Sequence, residues 1–176
     1  EELERVKEEI DKLVKEVRRS LKDVERRSAE LLKEVEKSLE EVERESKKVL
    51  DEVRKAGQTE EVKKLVDRSK KLIDDLRDKN RKIVDTSRKL IEDLKRRNEE
   101  IEKEIRDRIR KLSRTTDDKA VKTLLEDVRR LVREATEDNK RVNDESRELV
   151  ERASRDNRRV NKESRDIVRR LEERTK

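Results

Sequence analysis

Residues 3–20 read LERVKEEIDKLVKEVRRS, residues 21–38 read LKDVERRSAELLKEVEKS, and residues 39–56 read LEEVERESKKVLDEVRKA. The three lines are one 18-residue unit written three times. The same period links Leu72 to Leu90, Leu76 to Leu94 and Asn80 to Asn98, and later Asn139 to Asn157, Asn143 to Asn161 and Ser146 to Ser164. Eighteen residues make five turns of a 3.6-residue helix, so each repeat returns to the same angular position. A heptad repeat would drift and impose a left-handed supercoil, whereas this period asks for straight helices.

Two interruptions divide the pattern. At Ala56-Gly57-Gln58-Thr59 the only Gly of the chain stands where a helix C′ residue is needed, and Thr59 stands where the next helix needs an N-cap. At Ser113-Arg114-Thr115-Thr116-Asp117-Asp118, Thr115 or Thr116 can cap a third helix while the two Asp residues favour its positive N-terminus. The expected helices span about 2–56, 60–112 and 117–175, each about 80 Å long. Short loops between long helices make sequential neighbours antiparallel. The fold expected is therefore all-α: a single elongated up-down-up antiparallel three-helix bundle over residues 1–176.

Each helix carries one apolar stripe. In the first, Leu3, Val6, Ile10, Leu13, Val14 and Val17 share a face of about 100°. In the second, Leu65, Val66, Leu72, Ile73 and Leu76 share a face with Ser69 and Asn80. In the third, Leu131, Val132 and Ala135 share a wider face with Asn139, Asn143 and Ser146. The remaining surface is Glu, Lys, Arg and Asp, much of it at the i,i+4 spacing that supports helices.

The informative deviations are polar residues inside the stripes. Ser28 and Ser46 fall where the first repeat has Ile10, Ser69 and Ser87 fall where a later one has Ile105, and Ser146 and Ser164 fall where another has Val128. Folding the helices back at their loops brings these positions to matching heights. One layer is expected to hold Ser28, Ser87, Ser146 and Asn143, and another Ser46, Ser69, Ser164 and Asn161. Between them lie Ser20 with Asn98 and Thr136, and Ser38 with Asn80 and Ser154. Ile10, Ile105 and Val128 meet at one end, which is expected to be wholly aliphatic. Asn supplies two donors and an acceptor and Ser serves as either, so both bond across helices. A buried partner left unsatisfied costs about 1–3 kcal/mol, which penalises any register that separates the layers. Register specification is the role this pattern suggests, as a buried Asn has in coiled coils. The plainer reading places such residues at a partly wet stripe edge, which suits Asn143 and Ser154; Ser28, Ser87, Ser146 and Asn139 are central.

Composition narrows the function. The chain is 58% charged and 28% apolar, which would suit a disordered chain if the apolar residues were not regularly spaced among good helix formers. Its 54 basic and 48 acidic residues are interspersed, so the net charge of +6 forms no nucleic-acid arm. With no aromatic residue there is no stacking platform for single strands. No His means no imidazole base, no Ser-His triad and no ordinary zinc or haem site. Without Cys there is neither disulfide nor thiolate chemistry, and no Gly-rich loop wraps a phosphate. Paired carboxylates such as Glu60-Glu61, Asp74-Asp75, Glu99-Glu100 and Asp117-Asp118 arise freely among 48 acidic residues. No cofactor, metal, nucleic acid or membrane partner is expected, and no apolar run is long enough to span a bilayer.

Straight helices with an 18-residue period, aliphatic cores and recurring Asn and Ser layers resemble computationally designed helical bundles with buried hydrogen-bond networks. The stretches RSKKLIDDLRDKNRKIV (68–84) and NKRVNDESRELVERAS (139–154) carry the resemblance, which covers essentially the whole chain. It implies a soluble, recombinantly expressed scaffold without natural compartment or enzymatic activity, monomeric and needing no partner. The alternative it implies is a subunit whose third helix, through Asn139, Asn143, Asn157 and Asn161, recruits a further helix or chain into an oligomeric bundle. Spectrin-like repeats follow heptads and carry aromatic residues, and apolipoprotein-like helices are punctuated by Pro, so neither fits.

Overall fold

A computed structural model of the chain describes residues 2–57, 59–112 and 117–174, the last residue in its backbone only. It contains three helices: α1 over Glu2–Lys55, α2 over Glu60–Leu112 and α3 over Asp118–Arg174. They pack against one another without strands among the described residues, as an all-α three-helix bundle.

The chain ends each helix with local chemistry. Ala56 N donates to Val53 O at 3.1 Å, closing the last turn of α1. Gly57 follows with φ +111°, a conformation that a Cβ would strain. Thr59 then caps α2: its Oγ1 accepts from Val62 N at 3.3 Å while its carbonyl accepts from Lys63 N at 3.1 Å. For α3 the cap is Asp117. Its Oδ1 accepts from Lys119 N at 3.1 Å and its carbonyl accepts from Val121 N at 3.2 Å. Asp117 therefore stands just outside the helix expected to begin with it, and the alternative caps Thr115 and Thr116 lie outside the described residues. Acidic residues open α1 and α2 (Glu2, Glu4; Glu60, Glu61) and basic ones close them (Arg54, Lys55; Arg110, Lys111), each matching the helix dipole.

Contacts divide the chain into two compact units. The first combines residues 1–29 with 88–146, and the second combines 30–87 with 147–176. Each takes a segment from every helix.

In the first unit, one aliphatic cluster joins Val6, Ile10 and Val17 of α1, Ile105 of α2, and Val121 through Ala135 of α3. A second joins Val24, Leu94 and Val142. Rising numbers on α1 and α3 thus meet falling numbers on α2, so α2 runs antiparallel to both. Ile10, Ile105 and Val128, the three places where the repeat abandons Ser, converge in the first cluster, with 1%, 2% and 0% of their surface exposed. In the second unit the clusters are Val35 with Ile83, Val150 and Ala153; Val42 with Ile73, Leu76 and Val160; and Val49 with Val53, Val62, Ile167 and Leu171. The antiparallel order is the same. Each buried Val, Leu or Ile contributes about 1.5–3 kcal/mol against exposure, and this supplies the drive to associate. These clusters alone would favour neighbouring registers almost equally, because one aliphatic layer resembles the next.

Buried polar layers as the candidate functional site

Polar residues separate the aliphatic clusters. In the first unit, Ser20 lies between Val17 and Val24, Asn98 between Leu94 and Ile105, and Asn139 between Ala135 and Val142. The two amides bond reciprocally. Asn98 Nδ2 donates to Asn139 Oδ1 at 2.8 Å, and Asn139 Nδ2 donates to Asn98 Oδ1 at 3.3 Å. Their second N–H groups are used as well: Asn98 Nδ2 donates to Leu94 O at 2.8 Å, one turn back on its own helix, and Asn139 Nδ2 donates to Ser20 Oγ at 3.2 Å on α1. Every amide proton of the pair is placed, and three helices are joined.

The second unit repeats this arrangement one period along. Asn80 Nδ2 donates to Asn157 Oδ1 at 2.9 Å and to Leu76 O at 2.8 Å. Asn157 Nδ2 donates to Ser38 Oγ at 2.9 Å and to Asn80 Oδ1 at 3.3 Å. All four asparagines are buried, and Ser20 and Ser38 are half-buried.

These triads differ from the expected layers at one corner each. Thr136 was expected beside Ser20 and Asn98, and Ser154 beside Ser38 and Asn80. Thr136 instead donates from Oγ1 to Arg133 O of its own helix at 3.0 Å, and Ser154 is half-buried with its carbonyl accepting from Arg158 Nε at 3.4 Å. Asn139 and Asn157, three residues or about 4.5 Å further along α3, take their places. The cause is side-chain direction. Helical side chains lean toward the N-terminus, so on antiparallel helices two long side chains meet at a level short of both Cα atoms. Matching Cα heights selects a partner nearly one turn too early.

A third layer carries Ser on each helix, with Asn161 beside it on α3. Ser46 Oγ and Ser69 Oγ lie 3.4 Å apart, longer than a good O–H···O bond, with either as donor. Ser164 is buried on α3 and Asn161 is half-buried one turn before it. Ser28 and Ser146 of the first unit and Ser87 of the second are also buried, and none lacks an interaction. Asn143 is buried and lines a groove of about 370 Å³ between α1 and α3, with Ser20 and Lys140.

The asparagine pair of the first unit has a charged neighbour that the amphipathic pattern did not reveal. Arg97 and Asp138 adjoin Asn98 and Asn139 in sequence and form a two-pronged pair across α2 and α3. Arg97 Nε donates to Asp138 Oδ2 at 2.6 Å, and Arg97 Nη2 donates to Oδ1 at 3.2 Å. Arg141 Nη2 adds a third bond to Oδ1 at 2.6 Å. Burial pushes the Asp138 carboxyl upward, but the bonds and charges of Arg97 and Arg141 outweigh it and hold the group below the ordinary carboxylate range. The repeat gives the clue in retrospect. One period away the equivalents are Lys79 and Asp156, and Lys lacks the planar fork that makes the two-pronged pair. Other ion pairs cross helices on the outside, among them Arg18 with Glu102 at 2.7 Å, Arg129 with Glu9 at 2.6 Å and Arg77 with Glu43 at 3.0 Å. Exposed pairs of this kind add little stability individually.

Among the described residues no group of three or more carboxylates is gathered as for a metal ion, and no helix is long and apolar enough to cross a membrane. No large hydrophobic residue among them is exposed. No protein-family model, curated protein or solved structure matches the chain.

Proposed function

We propose that the chain is a designed structural scaffold without natural biochemical activity, whose core polar layers specify register and helix pairing. The observation that carries this reading is the pair of asparagine triads, alike in partners and donors and separated by one 18-residue period on every helix. Each triad places all its amide protons only when three particular residues come to one level. A shift by a single turn strands several buried polar groups at about 1–3 kcal/mol apiece. Aliphatic clusters supply stability on either side, and the triads discriminate between registers. The sequence has no His or Cys, so the serines have neither an imidazole base nor a thiolate to act with, which supports a structural reading.

The alternative is recruitment of a further helix or chain by α3. It draws on Asn139, Asn143, Asn157 and Asn161, yet Asn139 and Asn157 spend both amide protons within the chain's own units. The absence of exposed large hydrophobics among the described residues removes the usual driving force for such docking. Light scattering after gel filtration separates the two. A species of 21.3 kDa whose mass is independent of concentration is expected. A stable dimer or larger assembly favours recruitment.

A further inference from the structure

The third polar layer is incomplete in a way that the asparagine triads are not. Ser46, Ser69 and Ser164 lie between the Val42–Ile73–Val160 cluster and the Val49–Val62–Ile167 cluster of the second unit. At the corresponding repeat positions of the dry end stand Ile10, Ile105 and Val128. Replacing Ile by Ser removes two heavy atoms and replacing Val removes one, so this layer gains hydroxyls while losing aliphatic volume. Ser164 is 1% exposed, and its Oγ has no hydrogen-bond partner among the described residues. The same holds for the buried Oδ1 of Asn161, one turn earlier on α3.

Positions i and i+3 on a helix hold their Cβ atoms about 5–6 Å apart, a span that one molecule with two bonds of about 2.8 Å bridges. Stranding two buried polar atoms costs more than ordering one water between them. A buried water needs two to four polar partners and little more room than itself. The Ser46 and Ser69 hydroxyls, weakly joined to each other at 3.4 Å, retain lone pairs and a proton of their own.

We propose that Asn161 and Ser164 form an internal binding site for a single water molecule. The water donates to Asn161 Oδ1 and accepts from the Ser164 hydroxyl, and it completes the layer as the amide pairs complete the other two. The site stands apart from the scaffold reading, since its loss leaves both asparagine triads in place.

Water–protein cross-relaxation, measured by NMR on the full chain, tests the site. A long-lived water is expected beside the Ser164 amide and the methyl groups of Val160 and Ile167. Ser164→Ala should abolish that signal, while Ser154→Ala, at a half-buried position, should preserve it. Failure to find such a water in the folded chain overturns the proposal, as does a signal that survives Ser164→Ala. Denaturation gives a second readout. Ser164→Val alone strands Asn161 Oδ1 and should lower the midpoint, whereas Asn161→Leu with Ser164→Val should restore it to the parent value or above. A single variant as stable as the parent contradicts a bound water.

Discussion

At the scale of residues, the Asn triads are costly to break and cheap to remove. Asn139→Leu leaves Asn98 Oδ1, one Asn98 proton and Ser20 Oγ without their partner, and should destabilise the chain by about 1–3 kcal/mol in urea denaturation. Changing Ser20→Ala, Asn98→Leu and Asn139→Leu together removes both sides of every bond between helices, leaving only Leu94 O with its helical partner, and should cost far less, or nothing. A triple variant weaker than the single one would mean that the triad supplies stability outright and not discrimination. Asp138 carries a pH signature. Its pKa in the folded chain lies below the unfolded value of about 3.9, so its contribution is fully present above that value and is lost as pH falls through the depressed one. Asp138→Asn should therefore weaken the chain at neutral pH and lose that disadvantage in acid, with carboxyl NMR titration confirming the low pKa. The residues of these triads were legible in the sequence because Ser and Asn interrupt an otherwise aliphatic stripe. Their partners were less so, because the choice between Thr136 and Asn139 depends on side-chain lean, which residue spacing does not record.

At the scale of elements, helix limits follow from a few terminal residues. Gly57 has a positive φ and open space around its missing Cβ, so Gly57→Ala meets conformational strain without a clash. It should cost about 1–2 kcal/mol. Thr59→Ala removes the acceptor of Val62 N and should cost about 0.5–2 kcal/mol, as should Asp117→Ala at the start of α3. Thermal unfolding followed by circular dichroism checks all three. If each leaves the transition unchanged, these residues are incidental to the helix ends. The helices themselves were readable to within a residue or two, since the 18-residue period, the only Gly and the cap residues agree with one another. The Arg97–Asp138 pair is not legible in the sequence, because charged residues cover every helix surface here and charge alone does not say which of them face a neighbouring helix.

At the scale of the whole molecule, the sequence spends its few apolar residues on aliphatic clusters and interleaves them with polar layers of defined partners. Repetition makes one cluster resemble the next, and in the proposed role the triads select among the registers that this resemblance would allow. The proposed role assigns stability to the clusters and uniqueness of register to the triads. The division of contacts into two units was not visible in the period, which continues along each helix across the boundaries at 29/30, 87/88 and 146/147. The most direct measurement is native mass spectrometry, with amide NMR, on a chain lacking both triads: Ser20→Ala, Ser38→Ala, Asn80→Leu, Asn98→Leu, Asn139→Leu and Asn157→Leu. The expected result is a helical protein at least as resistant to denaturant as the parent, but populating several assemblies with broadened or multiple amide resonances. A single monomer with one sharp set of resonances, like the parent, would contradict it.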